Sequence, residues 1–93
     1  QFPSVRRDVA MLVDESVTHD DVLRAVKKAK ADFLHSVDIF DVFRGKGISE
    51  GKKSVAYAFV YRDRERTLKD DEVTSAHAKV IEQLKQDTAA EIR

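Results

Sequence analysis

Two segments of the chain alternate strictly between apolar side chains and others, and they are its clearest structural signal. Residues 7–14 carry Val9, Met11 and Val13 at every second position. Residues 54–61 repeat the pattern with a bulkier set, namely Val55, Tyr57, Phe59 and Tyr61. Because successive side chains of a strand point to opposite faces of its sheet, both segments predict strands with one buried face. The other face of the second strand carries smaller side chains, which are Ser54, Ala56, Ala58 and Val60.

Two further segments show the spacing of amphipathic helices. The first follows Thr18, which forms a capping-box pattern with Asp21 in the place of the usual Glu. The second begins in a run of acids, which the positive end of a helix dipole favours. Their apolar stripes are Val22, Leu23, Val26 and Ala29 in the first helix, and Val73, His77, Val80, Ile81 and Leu84 in the second. We interpret His77 as a boundary residue packed by its neighbours, because no other ligand lies at metal-site spacing from it.

The rest of the chain predicts two more strands and a long loop. Residues 33–44 form a strand whose alternation breaks, and a β-bulge near residues 39–41 would turn Ile39–Phe40 and Val42–Phe43 toward one core. Residues 45–53 hold all three glycines of the chain and predict a hairpin loop. Residues 89–93 are expected to close as a short final strand.

The predicted order of elements is therefore β-α-β-β-α-β, which is the order of the ferredoxin-like fold. The fold class is α+β, a ferredoxin-like sandwich with a four-stranded antiparallel sheet, two helices on one face and the other face open. A chain of 93 residues forms one domain, spanning residues 1–93. Residue 1 is Gln and the only Met is Met11, so we expect this domain to have been cut from a longer chain.

Composition and motifs exclude several classes of function. The chain has no Cys, which removes disulfides and thiolate metal sites and is consistent with a cytoplasmic location. No apolar run approaches the ~20 residues of a membrane span. The sequence has no nucleophile elbow, Walker loop or dinucleotide fingerprint. We therefore expect a binding domain without catalytic residues, a metal site or a cofactor of its own.

Charge is distributed unevenly, although the 17 basic and 17 acidic residues balance. Between Arg44 and Lys69 eight basic residues face only three acids, which suggests a surface for a polyanion. The open sheet face would offer a flat, weakly apolar floor over the two central strands, formed by Ala10, Leu12, Ala56 and Ala58. Basic side chains would lie beyond both ends of that floor: Arg6, Arg7, Arg62, Arg64 and Arg66 at one end, and Arg44, Lys46, Lys52 and Lys53 at the other. RNA could lie across such a face, but a contact with another subunit or domain fits the residues equally well.

Three motifs resemble one known family. FPSVRRD at residues 2–8 is similar to the opening motif of the ferredoxin-fold anticodon-binding domain of phenylalanine–tRNA ligases, FDVFRGKGISEGKKSVAYAFVY at residues 40–61 to its central block, and RDRERTLKDDEV at residues 62–73 to the entry of its second helix. The resemblance covers the whole chain in order. Two positions depart from the family pattern. Lys69 replaces a capping Thr or Ser, so we expect Asp70 to cap the helix, and no Gly precedes the last strand.

The resemblance implies a specific partner. The domain would clamp the anticodon stem-loop of the phenylalanine tRNA, and the floor and basic residues named above would be the contacts. The parent enzyme joins phenylalanine to its tRNA with ATP and magnesium. In bacteria it is an (αβ)2 heterotetramer, whose β subunit ends in this domain and whose α subunit carries catalysis. A single-chain mitochondrial form ends in the same domain, so either parent remains open.

Two other functions occur on the same topology. Amino-acid-sensing regulatory domains usually carry Gly in the loop between the first strand and the first helix. The corresponding loop here, residues 14–20, has none. A metallochaperone-like domain would need Cys ligands, which the chain lacks.

Overall fold

The computed structural model describes residues 2–93 and contains the six predicted elements in the predicted order. The strands are β1 (Val5–Asp14), β2 (Leu34–Phe43), β3 (Lys52–Tyr61) and β4 (Glu91–Ile92), and the helices are α1 (His19–Ala29) and α2 (Asp70–Thr88). All strand pairs are antiparallel, in the order β2-β3-β1-β4. The α+β, ferredoxin-like fold expected from the sequence is confirmed.

The central pair of strands, β1 and β3, separates the two faces of the sheet. Val9 lies opposite Tyr57 and Met11 opposite Val55, so these side chains share one face. On that face Met11, Phe59 and Tyr61 are completely inaccessible to solvent. Ala10 lies opposite Ala56 on the other face. The alternation in the two strand segments therefore predicted both the strands and their buried side correctly.

Both helices pack over the buried face. Val22 and Val26 of α1, with Val73, Val80 and Leu84 of α2, join the sheet side chains in one core. The predicted capping box of α1 is present: the Thr18 hydroxyl accepts the Asp21 N–H at 3.0 Å, and the Asp21 carboxylate accepts the Thr18 N–H at 2.9 Å.

The expected cap of α2 was wrong. Lys69, not Asp70, occupies the N-cap position, and the helix starts at Asp70. A Lys side chain has no acceptor, so only the reverse half of a capping box forms, with the Glu72 carboxylate accepting the Lys69 N–H at 3.0 Å.

Strand β2 lies at the sheet edge and differs from its prediction. The bulge near residues 39–41 is present, and a second one lies at residues 34–36. The apolar pairs do not enter the core, since Phe40 is 53% exposed and Phe43 51%. Ile39 and Val42 lie opposite core-facing Tyr57 and Val55, but they too are exposed. The bulge turns Phe40 and Phe43 to the face that no helix covers, whereas Leu34 and Val37, nearer the start of β2, do pack against the core.

The connections are shorter than the sequence suggested. Lys52 and Lys53 belong to β3, so the hairpin loop covers residues 44–51. Its three glycines all have positive φ, a conformation that other residues adopt only under strain. Strand β4 has only two residues and pairs with β1 through Ile92 and Met11.

Candidate nucleic-acid interface

The floor of the uncovered sheet face follows the strand register. Ala10 and Ala56 lie opposite each other at its centre, with Leu12 opposite Ser54 and Ala58 opposite Asp8. Ala58 is only 6% exposed although it does not belong to the helix-side core. The predicted floor is therefore present, and small side chains make it flat.

Two exposed aromatic rings extend this floor onto β2, and the sequence reasoning missed them by assigning them to the core. Phe43 lies opposite Ser54, which places it on the open face. The Arg6 guanidinium lies 5.3 Å from the centre of the Phe40 ring, and Arg6 shares the open face with its partner Val60. The bulge causes this arrangement because it adds one residue between Ile39 and Asp41. Ile39 and Val42 consequently face the helix side, while Phe40 and Phe43 face the open side.

Carboxylates also stand on the open face, which was not predicted. Asp8 and Asp38 lie on either side of Ala58, and Asp41 lies opposite Ala56. Asp8 accepts a hydrogen bond from Arg6 at 2.7 Å. The floor is therefore a mixed surface, with hydrogen-bond acceptors that repel phosphate but suit the amino groups of bases.

Arg93 is a further basic side chain on this face that the sequence reasoning did not select. Its backbone N–H donates to the Ala10 carbonyl at 2.9 Å, which holds the end of the chain beside β1. Its Nη1 donates to Ser54 Oγ at 3.1 Å. No local sequence signal indicates this contact, because it depends on how β4 pairs with β1.

At the hairpin end, two of the four predicted basic residues are held in ion pairs. Arg44 binds the Glu15 carboxylate, with Nε to oxygen distances of 2.8 and 3.0 Å, and this hydrogen bonding lowers the pKa of Glu15. Lys52 lies across from Asp14, with its Nζ 2.9 Å from the carboxylate. Lys46 and Lys53 make no ion pair within residues 2–93. Lys53 faces the helix side, since it pairs with Val13.

At the opposite end, the structure separates Arg6 from Arg7. Both lie inside β1, and not beyond the sheet as expected. Arg6 is on the open face, whereas Arg7 lies opposite Phe59 on the helix side, with its Nη2 3.5 Å from the Thr74 hydroxyl. Arg7 therefore cannot share a ligand with the open-face floor without reaching around the sheet.

The connection between β3 and α2 carries the last three basic residues of the predicted interface, which are Arg62, Arg64 and Arg66. Arg66 forms two hydrogen bonds with Glu72, at 2.7 and 2.6 Å. Hydrogen bonding to Arg66 lowers the pKa of Glu72 to about 2, so this carboxylate is charged at neutral pH. The Arg64 side chain makes no hydrogen bond or ion pair within the described residues, and the Arg62 guanidinium hydrogen-bonds only His35 there, with its Nη2 3.5 Å from Nδ1.

Two of the histidines of the described chain hydrogen-bond tyrosine hydroxyls. His77 Nδ1 lies 2.7 Å from the Tyr61 hydroxyl, and His19 Nδ1 lies 2.8 Å from that of Tyr57. Residues 2–93 contain no group of three or more His, Cys, Asp or Glu side chains that could hold a metal ion. Neither α1 nor α2 has the length and hydrophobicity of a membrane-spanning helix.

The fold and its uncovered face define an α+β domain of ferredoxin-like topology with one sheet surface accessible to a partner. The chain belongs to the ferredoxin-fold anticodon binding domain family, whose model matches residues 1–93. The family predicted from the three sequence motifs is therefore confirmed.

Relatives of known name are similar over all 93 residues. The phenylalanine–tRNA ligase beta subunits of Lactiplantibacillus plantarum, Syntrophotalea carbinolica and Yersinia pestis are 45%, 43% and 43% identical to the chain. The chain spans 12% of the length of each. These similarities support the anticodon-binding interpretation and not the amino-acid-sensing alternative.

Proposed function

We propose that this chain binds the anticodon stem-loop of the phenylalanine tRNA as one domain of a phenylalanine–tRNA ligase β subunit. The observation that carries the proposal is the open sheet face, where exposed Phe40 and Phe43 lie beside a flat floor in a chain that matches an anticodon-binding family throughout. Aromatic side chains on an open sheet are the surface on which single-stranded bases stack.

The chemistry of the face suits an unpaired loop. Bases splayed from the loop would stack on Phe40 and Phe43, which alternate with Asp38 and Asp41 along β2. The carboxylates would accept hydrogen bonds from base amino groups, the pairing that carboxylates make with cytosine N4. Backbone phosphates would be held at the rims by Lys46, Arg62 and Arg64.

The rest of the parent enzyme follows from this assignment as part of the proposal. The remaining parts of the β subunit and an α subunit would assemble with this domain in an (αβ)2 heterotetramer in the cytoplasm. Aminoacylation would use ATP and magnesium outside this domain, with catalysis in the α subunit. The domain's own contribution is to hold the tRNA while its far end is charged.

The first prediction concerns the electrostatic part of this binding. Lys46, Arg62 and Arg64 should displace counterions from the RNA backbone, so affinity should fall linearly with salt on a logarithmic scale, at about 0.7 per single-stranded phosphate contacted. The test is a fluorescence titration of the 93-residue chain with the labelled anticodon stem-loop of phenylalanine tRNA. A stem-loop of the same stem with a permuted loop should bind more weakly. Equal affinity for both loops, or affinity independent of salt, would contradict the proposal.

A further inference from the structure

Arg66 occupies a closed set of contacts at the start of α2. Its two terminal nitrogens bind the two oxygens of Glu72, and its Nε lies 3.6 Å from the Asp63 carboxylate. Its guanidinium carbon lies over the Phe33 ring, 5.5 Å from the ring centre. A guanidinium has five N–H donors in a planar fork, and here that fork is directed at carboxylates of the protein itself. The Arg66 guanidinium is therefore occupied by side chains of the domain itself.

Residues 62–69 form neither helix nor strand, but hydrogen bonds hold this segment at several points. The Arg62 N–H donates to the Phe33 carbonyl at 2.8 Å, at the first residue of the segment. The Asp63 carboxylate accepts the Glu65 N–H at 3.0 Å, which makes a local turn. At the last residue, Glu72 accepts the Lys69 N–H at 3.0 Å. The segment is therefore held by hydrogen bonds at both ends and in its middle. The Arg66–Glu72 pair links the middle of the segment to the start of α2.

Two basic side chains of this segment face a common notch. Arg62 and Arg64, together with Phe2 and Asp63, line a shallow notch of ≈ 150 Å³. Arg64 is exposed and Phe2 is 37% exposed. The Asp63 carboxylate already accepts the Glu65 N–H and lies next to the Arg66 guanidinium. Two guanidinium groups beside an exposed ring are suited to a phosphate and its neighbouring base.

We propose that Arg66 is a positioning residue, which with Glu72 holds the 62–69 connection so that Arg62 and Arg64 bind phosphates of the RNA backbone beside Phe2. The inference rests on the proposed RNA-binding function and changes the role of Arg66, which the charge pattern had assigned to direct RNA contact. It also gives Glu72, an acid, a part in binding an anion.

The substitution Glu72→Gln tests this directly, because charge and positioning predict opposite signs. Removing an acid close to bound RNA should strengthen binding by electrostatics alone. Loss of the positioning contact should instead weaken it, by about tenfold, and should lower the salt slope by about 1.4 as the phosphate contacts of Arg62 and Arg64 are lost. Gln keeps an oxygen that can accept the Lys69 N–H. The control is Glu82→Gln. Glu82 lies at an exposed position of α2 and forms no ion pair within residues 2–93, so its substitution removes the same charge alone and should make binding slightly tighter.

A coupling measurement separates positioning from simple loss of structure. In the unaltered chain Arg64→Ala should weaken binding to the phenylalanine anticodon stem-loop, and in the Glu72→Gln background the same change should have little further effect.

Arg66→Lys keeps the charge but loses the fork, so it should match Glu72→Gln, while Arg64→Lys should keep most of the affinity. Thermal melts confirm which variants are folded at the titration temperature. Tighter binding by folded Glu72→Gln, or an undiminished effect of Arg64→Ala in that background, would overturn the inference alone. Failure of the unaltered chain to bind would overturn the proposed function and this inference with it.

Discussion

At the scale of single residues, two tyrosine–histidine hydrogen bonds provide partners for the tyrosine hydroxyls of the core. Tyr57 and Tyr61 project from β3 into the core, and burial raises the pKa of each to about 12. Their hydroxyls therefore keep their protons, and each meets a helix histidine, His19 or His77, within 2.8 Å. A buried hydroxyl without a partner costs roughly 1–3 kcal/mol, so these histidines allow large polar rings to fill the core.

His77 should make the stability of the domain depend on pH. Burial, together with the charge of Arg7, lowers the pKa of His77 from its ordinary value near 6.5. The unfolded chain therefore binds a proton more readily, and stability should fall as the pH drops below about 6.5 until the folded state is protonated too. Urea unfolding at a series of pH values from 8 to 5 measures this. His77→Gln should flatten the profile in that range, whereas the exposed His35→Gln should not. An unchanged profile in His77→Gln would show that another group carries the dependence.

At the scale of elements, the local sequence pattern predicted a strand or helix correctly where the neighbouring elements cover its apolar side and leave its polar side exposed. The alternation of β1 and β3 sufficed because helices cover one face and none covers the other. The Thr18 capping box sufficed for α1 because all of its partners lie within four residues. Strand β2 has the same apolar content, but which of its apolar side chains are buried depends on the register in which it pairs with β3. No pattern inside residues 33–44 contains that information, and the prediction that both of its apolar pairs enter the core was wrong.

The junction between α2 and β4 offers a prediction about an element boundary. Ala89 ends the helix with a φ of 56°, in the left-handed region where an L side chain is strained. Relief of about 1–2 kcal/mol of strain, less the larger entropy that Gly loses on folding, should let Ala89→Gly stabilise the domain by up to about 1 kcal/mol. The exposed helical Ala78→Gly is the matched control, and it should destabilise by roughly 0.5–1 kcal/mol. Denaturant midpoints compare the two. If both substitutions destabilise equally, the left-handed conformation at Ala89 is not a source of strain.

At the scale of the whole molecule, the candidate site combines features that the sequence indicates with others that it hides. The small floor residues and the excess of basic residues over 44–69 follow from local patterns. Local patterns do not show which of those basic residues form ion pairs, because Arg44 pairs with Glu15 and Lys52 with Asp14 across long stretches of sequence. The exposed rings, the open-face acids and Arg93 depend on strand register. The fold could be predicted almost completely, whereas the composition of the site required the pairing of distant strands.

The central claim is that the open face of the sheet, and not the helix side, receives the anticodon loop. Phe43 and Val42 are neighbours in β2, are 51% and 42% exposed, and face opposite sides of the sheet. Neither substitution to Ser should unfold the domain, because neither side chain is buried, and thermal melts check this. Titration with the phenylalanine anticodon stem-loop should show Phe43→Ser binding between about fivefold and a hundredfold more weakly, the loss of one stacked base. Val42→Ser should bind like the unaltered chain. Equal effects of the two substitutions, or normal binding by Phe43→Ser, would contradict the account.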